Sequence, residues 1–165
     1  MHAATVNGGG DMDGARDDAV RTEVTHWFFD DYLPTWVGVG SGAIPRGPEF
    51  ILDYWAAPLH ISSPASREWL FDGDAVVAWL ERSQTELRAE GYSHTVVPDR
   101  RVTVYHDAGA AVEAIRSRRR PDDSEIERLA AHFEVAREAA GWRVVGTQDV
   151  PTTADSLDAV WRATD

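Results

Sequence analysis

Two side chains have the types and settings for proton chemistry. His94 shares a strand face with Val96, and an imidazole, which titrates near neutrality, suits a general base. Gln148 shares a face with Val144 and Val150, where an amide can polarise a carbonyl. Other polar groups sit on otherwise apolar faces. Ser63 lies beside Leu59 and Ile61. Ser83 is the polar member of the stripe Val76, Trp79, Leu80, Leu87, and Tyr32 belongs to a helix stripe of its own. A serine on a helix stripe also bonds the carbonyl four residues back. His26, His60, His106 and His132 are scattered without ligand spacing, so no metal is expected. Arg116, Arg118, Arg119 and Arg120, followed by Pro121-Asp122-Asp123, read as a solvated hairpin tip, with a phosphate or partner patch as the alternative.

Composition removes several chemistries. The 165 residues contain no cysteine, which excludes disulfides, a thiolate nucleophile and thiolate metal sites. All 16 basic residues are arginine, so Schiff-base catalysis and a P-loop lysine are excluded. A net charge of −12 argues against a nucleic-acid partner, because phosphate binding needs positive surface. No run approaches the ~20 apolar residues of a membrane span, and no secretory signal is visible at the N-terminus. The expectation is a cytoplasmic protein with no cofactor.

The elements that must position these groups follow from periodicity. Residues 1–15, with three consecutive glycines and several aspartates, read as disordered. A helix starts near Arg16, buries Val20, Val24, Trp27, Phe28 and Tyr32, and ends at Pro34. Residues 33–48, with four glycines and three prolines, read as a long loop or lid. A short helix over EFILDYWA stops at Pro58, and LHISSP reads as a strand. The third helix is capped by Asp72 or Asp74 and ends at Gly91. After Gly91 the period becomes two, giving strands over 93–106, 109–120, 125–137 and 142–150 in meander order. Along 109–120 either face, Val112-Ala114-Arg116 or Glu113-Ile115-Ser117, could point inward. The domain proper spans 16–150. The tail, 151–165, offers Leu157, Val160 and Trp161 as a docked helical turn.

Helix, helix, short strand, helix and four antiparallel strands is an order that resembles the nuclear transport factor two-like superfamily, including SnoaL-like polyketide cyclases and ketosteroid isomerases. The stretches that carry the resemblance are VTHWFFDDYL, ILDYWAAPLHISSP, WLFDGDAVVAWLERSQTELRAEGY and AHFEVAREAAGWRVVGTQ. It implies an α+β fold. Three N-terminal helices pack into a strongly curved, mostly antiparallel sheet, forming a cone-shaped barrel around a cavity. The isomerase pattern itself is absent. Ser63 stands where the first-strand base would be, Ala131 where the protonated acid would be, and Trp27 or Phe28 where the helix tyrosine would be.

The resemblance therefore implies a pocket whose chemistry must come from other groups. His94 and Gln148 are the expected catalytic pair. Tyr32, Trp36, Trp55, Ser63, Trp79, Ser83 and Phe133 are the expected substrate contacts. The expected partner is a small apolar or polyketide-like ligand that is cyclised, isomerised or hydrated. The alternatives are a non-catalytic binding protein and an interaction module. A homodimer through the sheet face, with His132, Glu134 and the tail at the contact, is implied by the same resemblance.

Overall fold

In the computed structural model, which describes residues 9–161, helices cover one face of a seven-stranded sheet. Residues 1–8, part of the segment expected to be disordered, and 162–165, the end of the tail, lie outside the described residues. Helix α1 (Gly9–His26) begins ahead of the expected start at Arg16. It runs into a π-helical turn (Trp27–Tyr32) and then into α2 (Leu33–Ser41). Pro34 therefore does not end the helix. The Leu33 N–H reaches back to the Phe28 carbonyl, five residues away, so the turn before the proline is widened. Pro34 sits in the first turn of α2, where a missing N–H costs little.

Most of the expected 33–48 loop is thus helix. Its apolar residues decide the matter, because Trp36 and Val39 are buried among the core residues. The Gln84 side-chain amide donates to the Trp36 carbonyl at 3.3 Å. Glycine here permits close packing: a Cβ on Gly40 would stand 3.1 Å from Gln84 Nε2. The helix stops at Gly42, which is left-handed at φ 83°.

A 3-10 turn (Pro48–Asp53) buries Phe50 and Ile51 and replaces the expected EFILDYWA helix. Strand β1 (Trp55–Ser62) starts before Pro58 rather than after it. Its parallel pairing with the last strand is interrupted between Trp55 and His60, where the proline has no N–H to donate. A short strand, β2 (Arg67–Leu70), pairs with β1.

Helix α3 (Gly73–Ala89) is capped by Asp72, whose carboxylate accepts from the Ala75 N–H at 2.9 Å. Gly91 follows at φ +83°. Its inward stripe is Val76, Leu80, Gln84 and Leu87, so the buried polar residue of this helix is Gln84, not Ser83. Asp72→Ala should lower the stability by about 1 kcal/mol, the usual worth of such a cap. The urea midpoint measures this, and an unchanged midpoint would remove the cap from the account.

Strands β3 (His94–Val96) and β4 (Arg100–His106) realise the 93–106 strand in two pieces, broken around Pro98. Both pair with β5 (Gly109–Arg119), which continues antiparallel through β6 (Glu125–Glu138) to β7 (Gly141–Pro151). The sheet order is β2-β1-β7-β6-β5-β3, so the sheet curls around the helices without closing. Val112, Ala114, Ala131, Phe133, Val135 and Val144 face the helices. Ile115 and Ala130 face the other way, onto Leu157 of a short turn, α4 (Leu157–Val160). The tail is held there by the Leu157 N–H donating to Asp99 at 2.8 Å and by Arg101 on Asp158. It occupies part of the convex face, the face that the family resemblance assigns to a second copy. No helix among the described residues is long and apolar enough to cross a membrane.

Candidate functional site

The concave face of the sheet and the helices leave a cleft of about 730 Å³ beside α3. Trp36 of α2 and Trp79, Ser83 and Leu87 of α3 form one side. Arg118 of β5, Glu127 and Leu129 of β6 and Asp149 of β7 form the other. A deeper chamber of about 20 Å³ shares Trp36, Trp79, Arg118 and Asp149 and adds Tyr32, Trp55, Arg116, Phe133 and Thr147.

Strand alternation explains why these groups converge. Val112, Ala114, Arg116 and Arg118 lie two residues apart on β5, so they share the helix-facing side. Two guanidinium groups thereby enter an apolar interior. Arg116 is only 6% exposed. It donates through Nη2 to Asp149 Oδ1 at 3.2 Å and lies 5.1 Å from the Phe133 ring centroid. Arg118 donates through Nη1 to Glu127 and lies 4.9 Å from the Trp36 ring. Burial, and then the neighbouring Arg116 charge, push the Arg118 guanidinium below its usual value, against the opposite pull of Glu127. The Nε of each arginine is buried without a hydrogen-bond partner.

The inner end is closed by aromatic rings. Trp55 Nε1 donates to the Tyr32 hydroxyl at 3.0 Å. Burial drives the Tyr32 phenol well above its ordinary value, so it stays protonated. Its ring stands edge-on to Phe28, centroids 4.9 Å apart, and Phe28 in turn meets Phe133 at 4.9 Å. Trp55 and Trp79 lie 5.7 Å apart and join the floor to the mouth.

Of the substrate contacts expected from sequence, Tyr32, Trp36, Trp55, Trp79, Ser83 and Phe133 all line the cleft or its chamber. Ser63 does not. Its hydroxyl accepts from the Ala65 and Ser66 amides in the β1–β2 turn. His94 lies near the β5–β6 hairpin, its Nε2 3.0 Å from Asp123. The carboxyl of Asp123 is held below its ordinary value by that hydrogen bond and by Arg119. Gln148 is on the opposite face of β7, where it borders a separate cavity of about 320 Å³ with Glu113, His132 and Trp161.

The cause of that displacement is a register shift in the β6–β7 ladder between Glu134 and Val135. Val144 faces the helices, but beyond the irregularity Thr147 and Asp149 do so. The groups that sequence reasoning missed are therefore Arg116, Arg118, Thr147 and Asp149. The signal for the arginines was their two-residue spacing from Val112 and Ala114. Only Arg119 and Arg120 behave as a hairpin tip, bonding Asp123 and Glu90 respectively. Among the described residues no group of three or more acidic, histidine or cysteine side chains is placed to hold a metal.

Comparison with known proteins agrees with this geometry. The profile of a family described as NTF2-like protein (DUF6841) matches residues 22–152. An NTF2-like protein with a cystatin-like fold from Novosphingobium aromaticivorans superposes with a TM-score of 0.62. It has 17% identity, and 92% of this chain and 94% of that one are covered. Aln2 from a Streptomyces species gives 0.58 at 14% identity, covering 81% and 91%. A ketosteroid isomerase-like protein from Parabacteroides distasonis gives 0.52 at 10% identity, covering 71% and 83%. At these identities the likeness is one of fold. No curated protein matches the sequence.

Proposed function

Because the chain belongs to the NTF2-like family DUF6841 and its helices and sheet leave a cleft between them, we propose that this concave cleft binds a small organic molecule and that Asp149 exchanges a proton with it. The protein is then an acid–base enzyme of small-molecule metabolism, catalysing an isomerisation or cyclisation that begins beside a carbonyl. The observation that carries this reading is a cavity-facing carboxylate, Asp149, paired with the buried Arg116 and sharing its chamber with the part-buried Arg118 and three tryptophans.

The steps follow from the geometry. Asp149 takes a proton from carbon next to the substrate carbonyl. The electron pair of the broken C–H bond moves onto the carbonyl oxygen, and Arg118 donates to the resulting enolate. The proton returns from Asp149 to another carbon of the same conjugated system. Trp36 and Trp79 hold the apolar body of the substrate and limit the entry of water.

Transfer of the α-proton into heavy water tests this directly. Proton NMR of 2-tetralone, 1-indanone and phenylpyruvate in D2O should show exchange faster than in buffer alone for at least one of them. A second reading, a protein that binds without catalysis, has one observation in its favour: the inner chamber holds only about 20 Å³. Ligands that raise the melting temperature with no exchange in the whole series would favour that reading.

A further inference from the structure

The geometry points to a ligand that carries a carboxylate, received in the cleft by the Arg118 guanidinium with Arg116 behind it; the inference rests on the concave cleft being the ligand site. Both arginines leave β5 on one face; Arg118 lines the cleft as well as the inner chamber of about 20 Å³, whereas Arg116 lines the chamber alone. Each uses one terminal nitrogen on a protein carboxylate, Arg116 on Asp149 and Arg118 on Glu127. Each retains an Nε–H that is buried and has no partner among the described residues. Buried donors are nearly always satisfied, and a cationic donor stripped of water has the most to gain from an acceptor.

A carboxylate answers that deficiency. It offers two oxygens with about four lone-pair sites and matches the guanidinium fork. An uncharged apolar ligand would leave both Nε groups unpaired. The rings of Trp36 and Phe133 hold the two guanidinium planes in place before any ligand arrives. Trp79, Leu87 and Leu129 along the cleft leave apolar surface for the rest of the molecule, so the class is a small organic acid with a flat or aromatic body. Glu86 and Glu90 at the mouth slow an approaching anion without occupying the inner arginines. Arg120 already bonds Glu90.

The test is calorimetric titration of the full chain with benzoate, phenylacetate and 4-phenylbutyrate, each against its primary amide. At least one acid should bind tenfold or more tightly than its amide. Arg118→Met keeps the apolar stem and should weaken that acid at least tenfold, while Arg118→Lys restores the charge without the fork and should recover only part of the loss. Amides that bind as well as the acids, no binding by any acid, or an unchanged affinity in a folded Arg118→Met variant would each overturn the inference. The acid–amide comparison on the unaltered protein decides the matter even if a variant fails to fold. Acids that bind while no ketone exchanges its proton would uphold the carboxylate site and remove the acid–base reading. Neutral ketones that exchange while acids do not bind would do the reverse.

Discussion

Asp149→Asn will lower proton exchange by about 10²- to 10⁴-fold, the range over which a positioned general base accelerates a reaction. The amide is nearly isosteric with the carboxylate, and its carbonyl can still accept from Arg116 Nη2, now 3.2 Å from the Asp149 oxygen. What the amide cannot do is hold a proton at neutral pH. The loss should therefore fall on kcat, with KM changed little, because Trp36, Trp79 and Arg118 still hold the ligand. Removing the acceptor altogether is a different experiment. Asp149→Leu leaves the Arg116 cation buried with no carboxylate, a change that typically costs ~3–5 kcal/mol. Steady-state NMR rates for the asparagine variant, with a thermal scan to establish folding, separate the two effects. An asparagine variant as fast as the unaltered protein would place the base elsewhere.

Phe133→Ala will lower the stability by about 3–5 kcal/mol, as for other fully buried aromatic residues cut back to alanine. Phe133 is 2% exposed. Its ring meets Phe28 at 4.9 Å and Tyr32 at 6.4 Å, both edge-on, a geometry that adds to simple burial. The other side of the ring carries the Arg116 guanidinium. The truncation thus opens a cavity in the aromatic floor and removes the surface on which a buried cation rests. Urea unfolding measures the change. A loss below about 1.5 kcal/mol would mean that the helices collapse onto the gap, since the cost depends on how well the site relaxes. The same variant should also bind acids more weakly, because Arg116 is no longer held in place.

These two residues show what the sequence discloses and what it hides. Phe133 is legible because β6 alternates around it, buried at Ala131, Phe133 and Val135 and not at His132 and Glu134, so the aromatic falls on the apolar face. Helix α3 is legible for the same kind of local reason: a capping aspartate at one end, a left-handed glycine at the other, and a regular stripe between them. Asp149 is hidden because the face it occupies depends on an irregularity further back in the ladder. Strict alternation from Val144 carries Gln148 inward, and the register shift opposite Glu134–Val135 reverses that. Pro34 misleads in a similar way. A proline in a helix interior normally ends it, but a π turn before it lets α2 continue and bring Trp36 to the cleft. Arg118 is read as surface because arginine is rarely buried, and Arg116 is left open between the hairpin tip and an inward face. Their burial comes from tertiary partners, Asp149, Glu127, Phe133 and Trp36, that no local pattern announces.

Gln148 and Asp149 are neighbours on β7 that face opposite sides of the sheet, one bordering the Glu113–His132–Trp161 cavity and the other the arginine-lined cleft. Exchange rates of Gln148→Leu and Asp149→Asn, measured side by side on the same ketone, test the placement of the site most directly. A concave site predicts a rate within about twofold of the unaltered protein for Gln148→Leu and a fall of at least about 100-fold for Asp149→Asn. The reverse order, with Gln148→Leu inactive and Asp149→Asn unimpaired, would contradict it and move the chemistry to the convex face.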